Sequence, residues 1–164
     1  AEVAFYNTGG IRKGIAPGVI TMGNLYEVIP FDNTICTVEL TGKQIMKVLE
    51  YGLMNQKIGM VQYSGLKVTY NSQASPDRRI IAVIAATGKP LELDKIYTVA
   101  INDFLASGGD GFTMLQEGKN LRDTGLLVRD SLAEALGKEL IIKFRGDDRW
   151  KNLSSLSYQG KKAA

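Results

Sequence analysis

The sequence contains no histidine among its 164 residues. That absence excludes Ser-His-Asp and Cys-His catalysis, which need an imidazole as the general base, and it excludes metal sites built on histidine. The only cysteine is Cys36, so an internal disulfide is excluded as well. Cys36 lies in an alternating run and is expected to be a buried strand residue, since no base is present to activate it as a nucleophile.

Long apolar runs and concentrated charge are also missing. No run approaches the roughly 18 apolar residues that a membrane-spanning helix requires. The net charge is +3 and the basic residues are scattered, which argues against duplex DNA or RNA as a partner. What remains is 45% apolar and 23% charged residues, the composition of a globular domain that can bury its own core.

The apolar pattern predicts an α+β fold with a mixed sheet, because strands and helices are interspersed without strict βαβ alternation. A capping box of Thr41 and Gln44 begins the helix that carries Ile45, Val48, Leu49 and Leu53. Asp123 is expected to cap a helix over 124–136 that Gly137 ends. A further short helix is predicted over 21–28, and strands are predicted over 3–6, 34–40, 62–71, 79–86, 96–101 and 140–144.

The stretch 101–112 combines an aromatic ring with a glycine-rich turn. Phe104 precedes the turn and Asp110 lies inside it, so both side chains could face one cavity. A flat apolar ring suits the face of a base or sugar, and a carboxylate can accept two hydrogen bonds from neighbouring hydroxyls. The alternative is a tight loop with Phe104 in the core.

Two earlier stretches strengthen the first reading. Residues 7–12 (Asn-Thr-Gly-Gly-Ile-Arg) follow an apolar run, and residues 28–33 place Phe31 directly after Pro30. In this order and at about these distances, the three stretches resemble the C-terminal domain of the 5'-nucleotidase family. The family also includes bacterial UDP-sugar hydrolases and 2',3'-cyclic-nucleotide phosphodiesterases. The resemblance runs from about Val3 to about Trp150 and implies layers of mixed sheet with helices packed outside.

The resemblance also implies a substrate-binding role for particular side chains. Phe31 and Phe104 would sandwich a base, Asn7 would read the base edge, Arg12 would face ribose or phosphate, and Asp110 would accept from the ribose hydroxyls. The alternatives are core packing for the rings, a strand-end turn for Asn7, a solvated charge for Arg12 and a turn-stabilising carboxylate for Asp110. The predicted site is Asn7, Gly9, Gly10, Arg12, Phe31, Phe104, Gly109 and Asp110.

Three features depart from the family pattern. Asp103 stands before the second ring where asparagine is frequent, and Asp32 follows the first ring where glycine is common. Relatives carry a further helix and basic residue upstream of the stretch 7–12, so the domain over residues 1–152 is expected to lack its first helix. We therefore expect an exposed apolar patch beside residues 3–6, and self-association or a second chain covering it. Residues 153–164 are expected to be a polar tail, disordered or derived from a tag.

The family's chemistry takes place at two divalent metal ions in a separate N-terminal metallophosphoesterase domain, built from Asp, His and Asn. No such domain is present in this sequence, so the chain is expected to bind base and ribose, to hold no metal or cofactor, and to be inactive alone. The parent protein is expected outside the cytoplasm: in the periplasm, at the cell wall or secreted. The sequence does not separate a 5'-nucleotidase from a cyclic phosphodiesterase or a UDP-sugar hydrolase.

A different class of protein remains open, namely a stand-alone ligand-binding or adhesion module of the same fold. Residues 145–147 spell Arg-Gly-Asp and residues 152–154 fit a glycosylation acceptor, but short motifs of this kind often arise by chance.

Overall fold

Two sheets are formed by the described residues of the computed structural model, which are 1–54, 61–76, 78–138 and 149–154. The strands are β1 (Val3–Tyr6), β2 (Thr34–Thr41), β3 (Gln62–Ser64), β4 (Leu66–Tyr70), β5 (Ile80–Ala85), β6 (Ile96–Asn102), β7 (Lys119–Leu127) and β8 (Trp150–Asn152). The α-helices are α1 (Met22–Val28), α2 (Gly42–Met54), α3 (Asp103–Ala106) and α4 (Val128–Gly137).

The larger sheet has five strands in the order β3-β1-β6-β2-β7, and the smaller has the order β5-β4-β8. Strand β1 runs parallel to β6, and β4 runs parallel to β8, whereas the remaining pairs are antiparallel. The predicted α+β class with mixed sheets is therefore confirmed.

The core forms around helix α2 and the inward face of β2. The capping box is present, since the Thr41 amide donates to Gln44 Oε1 (2.8 Å) and the Gln44 amide donates to Thr41 Oγ1 (3.3 Å). Ile45, Val48 and Leu49 are buried in one cluster with the alternating side chains of β2, including Cys36. The predicted helix stripe and the buried cysteine are both confirmed, although Leu53 is only half-buried.

Gly65 divides the single strand predicted over 62–71, and that prediction is wrong as to its extent. Residues on either side pair in different sheets, β3 in the larger and β4 in the smaller. Gly65 has φ +85, and a Cβ there would collide with the carbonyl oxygen of Glu2. Because only glycine tolerates both the left-handed backbone and this close approach, the chain crosses between the sheets at this point.

The helix predicted over 124–136 begins later than expected. Residues up to Leu127 belong to β7, and α4 begins at Val128. Asp123 does not cap a helix. Its Oδ1 accepts from the Gly125 amide (2.9 Å) and its Oδ2 accepts from Thr34 Oγ1 (3.0 Å). Pairing with β2 has overridden the local capping signal, as tertiary context commonly does.

Among the described residues, the expected apolar patch beside residues 3–6 is not seen. Val3 is 3% and Phe5 is 2% exposed, because β1 lies between β3 and β6 and turns these side chains into the chain's own core. The predicted strand over 140–144, the Arg-Gly-Asp triplet at 145–147 and the tail from 155 lie outside the described residues. Leu153, the first residue of the predicted tail, still donates its amide to the Tyr70 carbonyl (2.8 Å). None of the helices in the described ranges has the length and apolar character to cross a membrane.

Candidate functional site

The two predicted rings leave the larger sheet at the same edge. Strands β2 and β6 are antiparallel with Ile35 opposite Asn102, so the segment before β2 and the segment after β6 emerge together. Phe31 lies on the first segment and Phe104 on the second, and they are 41% and 39% exposed. Within the described ranges the two rings make no ring contact with each other. Neither ring is a core residue, and the structure places both on one accessible edge.

A hydrogen bond joins the two ring-bearing segments. Asn33 Nδ2 donates to Asp103 Oδ1 at 2.6 Å, and the same carboxylate oxygen accepts from the Phe104 amide at 2.9 Å. Asp103, one of the residues that depart from the family pattern, thus joins the segment of the second ring to that of the first. The analysis of the sequence did not identify Asn33, whose signal was its position two residues after the first ring.

The glycine turn lies directly against Phe104. A Cβ at Gly109 would approach the Phe104 ring and carbonyl oxygen to 2.5 Å, closer than real contacts allow. Only glycine at this position lets the turn pack on the ring, and any larger residue would displace one of the two. Gly109 is therefore brought together with Phe104, as the predicted site requires.

Asp110 is held in an unusual backbone conformation. Its φ is 54, in the left-handed region, between Gly108 (φ 83) and Gly111 (φ 82). A non-glycine residue in this region costs roughly 1–3 kcal/mol and persists where its surroundings determine it. Here Asn7 Nδ2 donates to Asp110 Oδ2 (3.0 Å) and the Tyr51 hydroxyl donates to the Asp110 carbonyl (3.0 Å). No donor among the described residues bonds to Oδ1, which leaves that oxygen available to a ligand.

A line of amides orients this carboxylate. The Leu105 amide donates to Asn102 Oδ1 (2.9 Å), Asn102 Nδ2 donates to Asn7 Oδ1 (3.0 Å), and Asn7 Nδ2 donates to Asp110. Because a carboxylate only accepts and a backbone amide only donates, both ends of the line fix which way each amide points. Asn7 is 6% and Asn102 is 1% exposed. Asn7 is brought to the predicted site, but both ends of its amide are already bonded within the protein.

Arg12 lies over the first ring. Its guanidinium carbon is 5.3 Å from the Phe31 ring centroid, within the range of a cation–π contact. The Arg12 amide donates to the Val28 carbonyl (2.8 Å), which ties the loop to the end of α1. Within the described ranges the guanidinium makes no ion pair. The positive charge is thus at the rim of the site and available to an anionic group.

Gly9 and Gly10 shape the turn between Asn7 and Arg12. A Cβ at Gly10 would come within 2.7 Å of the Tyr6 ring, and one at Gly9 would lie 3.5 Å from Asp110 Oδ2. Gly10 therefore allows the turn to pack on Tyr6, whose pKa is raised by burial. The close contact therefore requires glycine at Gly10, whereas a Cβ at Gly9 would make only an ordinary contact with the carboxylate.

Arg129 was not predicted from the sequence, and its side chain bonds to the segment that carries the first ring. It lies on α4, is 3% exposed, and donates from Nη2 to Asp32 Oδ1 (2.5 Å) and from Nη1 to the Ile29 carbonyl (3.1 Å). Its guanidinium carbon is 3.8 Å from the Tyr26 ring centroid. Hydrogen bonding to Asp32 raises the pKa of Arg129 above its usual value. The signal for Arg129 in the sequence was a charged residue within the otherwise apolar stripe of this helix.

A separate concavity lies away from these residues. It measures about 520 Å³ on the open face of the larger sheet, where its lining includes Thr37, Glu39 and Arg122, and contains none of the predicted site residues. Its lining strands lie side by side, so it is a shallow groove and we do not place the site there. Within the described ranges no group of three or more Cys, Asp or Glu side chains is arranged to hold a metal ion.

Comparison with known proteins gives consistent matches. The family model described as "5'-nucleotidase, C-terminal domain" matches residues 1–117. A trifunctional nucleotide phosphoesterase protein, YfkN of Bacillus subtilis, is 36% identical over 145 residues, covering 84% of this chain and 10% of its own length. Cell wall protein Lmo0130 of Listeria monocytogenes is 30% identical over 178 residues, covering 99% of this chain and 22% of its own length.

A solved structure matches as well. The crystal structure of a 5'-nucleotidase precursor from Thermus thermophilus superposes with a TM-score of 0.87 and 34% sequence identity, over 93% of this chain and 31% of that chain. The chain thus spans about a third or less of the length of these proteins.

Proposed function

The chain belongs to the 5'-nucleotidase C-terminal domain family, and from this we propose that it binds the base and ribose of nucleotides for a two-domain phosphohydrolase. The observation that carries the proposal is the half-exposure of Phe31 and Phe104 on one edge of the sheet, beside a carboxylate oriented for a ligand. Two accessible rings at element ends suit a flat heterocycle, because every base presents a π-face and stacking contributes about 1–3 kcal/mol per base.

The groups around the rings suit the remainder of a nucleoside phosphate. Asp110 Oδ1 is the free acceptor for ribose hydroxyls, and its conformation is set before any ligand arrives. Arg12 supplies a permanent positive charge at the rim, suited to phosphate or ribose oxygens. Pre-oriented groups of this kind reduce the ordering cost of binding.

Asn7 takes a different role in this proposal from the one predicted from the sequence. Asn7 is only 6% exposed, and its amide oxygen and nitrogen already bond to Asn102 and Asp110, so little of that group is turned toward a ligand. We therefore assign it to orienting Asp110, and leave reading of the base edge to other residues.

The proposal includes a partner domain and a location. Hydrolysis would take place in an N-terminal metallophosphoesterase domain of the parent protein, where two divalent metal ions activate water and hold the phosphate. This chain would bind the base and the ribose and bring the phosphate ester to that domain. A cell wall protein among the similar sequences supports a location outside the cytoplasm for the parent.

The test is isothermal titration calorimetry of the purified chain with adenosine, guanosine and their 5'-monophosphates. We expect saturable binding that is lost when Phe31 and Phe104 are both changed to alanine. The matched control is Ile81→Ala, which removes an exposed apolar side chain from the smaller sheet and should leave binding unchanged. Absence of binding to the wild-type chain, or equal binding by the double variant, would refute the proposal.

A further inference from the structure

Tyr51 connects the main core to the glycine turn of the site. It lies near the end of α2, and its half-buried ring packs against the core cluster. The ring meets Phe112 edge-on, with the ring centroids 4.8 Å apart, and the hydroxyl oxygen lies 3.0 Å from the Asp110 carbonyl oxygen. Because a carbonyl oxygen only accepts, the tyrosine hydroxyl is the donor. The ring is thus fixed in the core while its far end bonds to the main chain of the turn.

The glycine after Asp110 makes room for that hydroxyl. A Cβ at Gly111 would collide with the hydroxyl oxygen of Tyr51. Gly111 also has φ 82, in the left-handed region that glycine adopts without steric cost. Although Tyr51 and Asp110 are 59 residues apart in sequence, the helix and the turn therefore fit each other closely at this point.

The main-chain conformation of Asp110 decides where its carboxylate points. With φ 54, the Cβ leaves the backbone in a direction that the ordinary right-handed region does not give. The flanking glycines do not hold the turn in this state, because glycine adopts positive and negative φ about equally well. A left-handed aspartate persists where its surroundings determine it. Asn7 supplies one such contact, at the carboxylate, and Tyr51 supplies another, at the carbonyl oxygen.

We propose that Tyr51 is a positioning residue for ribose recognition and that it acts through the main chain of Asp110. The inference rests on the proposed function, in which Asp110 accepts hydrogen bonds from the ribose hydroxyls. A rotation of the Asp110 peptide would move its carboxylate away from the ribose, and the Tyr51 hydroxyl opposes that rotation. Loss of the hydroxyl should therefore weaken only the part of binding that depends on the ribose hydroxyls, and leave stacking on the two rings unchanged.

The experiment removes the hydroxyl alone. Tyr51→Phe keeps the aromatic ring that packs on Phe112, and calorimetric titration of the full chain compares guanosine with 2',3'-dideoxyguanosine, which lacks the ribose hydroxyls. We expect the affinity for guanosine to fall about three- to tenfold, the range that one hydrogen bond supplies. The affinity for dideoxyguanosine should stay within about twofold of the wild-type value.

The matched control is Tyr70→Phe. This variant removes the hydroxyl of another half-buried tyrosine, whose ring packs edge-on against Trp150 in the smaller sheet. It should change neither affinity, because Tyr70 has no contact with the glycine turn among its described contacts.

A second variant tests the route through Asp110. Asp110→Gly removes the carboxylate and keeps a residue that adopts the left-handed region. If Tyr51 acts through that carboxylate, adding Tyr51→Phe to Asp110→Gly should change guanosine affinity by less than about twofold, and such non-additivity measures the coupling between the two residues.

The other outcomes contradict the positioning role. Equal weakening of guanosine and dideoxyguanosine by Tyr51→Phe would make Tyr51 a general structural residue, and so would a further full loss in the Asp110→Gly background. Because the two affinities are compared within one variant, a smaller folded fraction cancels from their ratio. Unchanged guanosine affinity would overturn the role of Tyr51 while nucleoside binding stands. If the wild-type chain binds no nucleoside, the proposed function fails and the role of Tyr51 fails with it.

Discussion

At the scale of single residues, two adjacent positions are expected to affect different quantities, one ligand binding and the other folding stability. Phe104 is half-exposed, whereas the next residue, Leu105, is fully buried in the core. A ring used for stacking should contribute little to folding, because it remains in contact with water when the site is empty. A buried leucine contributes through both its transfer from water and the cavity it fills.

We therefore expect Phe104→Ala to weaken nucleoside binding by roughly tenfold or more while changing the free energy of unfolding by less than about 1 kcal/mol. The matched variant Leu105→Ala should lose about 2–5 kcal/mol of stability. Urea denaturation monitored by circular dichroism, alongside calorimetric titration, measures both quantities. If Phe104→Ala unfolds the chain as readily as Leu105→Ala does, the assignment of this ring to the site is wrong.

Asp110 gives a second prediction at this scale. The Asp110→Asn substitution keeps a residue type that tolerates the left-handed conformation but removes the negative charge that ribose hydroxyls would meet. Affinity for guanosine should fall about tenfold, in line with the loss of charged hydrogen bonds. Affinity for 2',3'-dideoxyguanosine, which lacks those hydroxyls, should hardly change. Equal losses for both ligands would show that Asp110 does not contact the ribose.

At the scale of secondary-structure elements, helix α4 positions a loop that it does not adjoin in sequence. Through Arg129 it bonds to the segment between α1 and β2, which carries Phe31. The carboxylate partner, Asp32, is 77% exposed, so the ion pair is only partly shielded from water. The buried part of the contact is the bond to the Ile29 carbonyl and the packing on Tyr26.

Replacing Arg129 with the apolar residue methionine removes its hydrogen bonds to Asp32 and to the Ile29 carbonyl together. We expect the free energy of unfolding to fall by about 1–3 kcal/mol, because a buried carbonyl is left without its donor. We also expect nucleoside affinity to fall, because the loop that carries Phe31 is no longer fixed. Lys138→Met, at the residue that follows the same helix, breaks only an ion pair whose members are 70% and 72% exposed and should cost less than about 1 kcal/mol. Thermal denaturation and titration of both variants give the comparison. Unchanged nucleoside affinity in Arg129→Met would contradict the positioning role.

Elements also mark where the sequence was informative and where it was not. Strands with clean alternation and the helix with a complete capping box were predicted at nearly their observed positions, since their signals are local. The crossing at Gly65 and the extension of β7 through Asp123 depend on which distant strand each segment meets, and no local pattern encodes that. The same holds for the candidate site: motifs predicted the rings, the glycines and Asp110, and their binding roles stay predictions. Asn33, Asn102 and Arg129 act through partners far away in sequence, which no local motif encodes.

At the scale of the whole molecule, the proposed function assigns substrate binding to this chain and hydrolysis to another domain. The chain has no histidine, and within the described ranges no carboxylate cluster is arranged for a metal. We expect no hydrolysis of nucleoside monophosphates, cyclic nucleotides or UDP-glucose by the purified chain in the presence of Mg²⁺, Mn²⁺, Co²⁺ or Zn²⁺, measured by phosphate release. Metal-dependent turnover that co-elutes with the chain through successive columns would refute the proposed division of labour.

The position of β1 inside the larger sheet has a consequence for synthesis. Val3 pairs with Val99, so β1 must wait for one of its two neighbours until nearly a hundred further residues have been synthesised. At about 5–20 residues per second, that delay is about 5–20 s. During it, Val3 and Phe5 have no completed sheet to enter, and such long-range pairing is slow to form. Until β6 emerges, this segment of the nascent chain is therefore exposed to aggregation and open to chaperone binding.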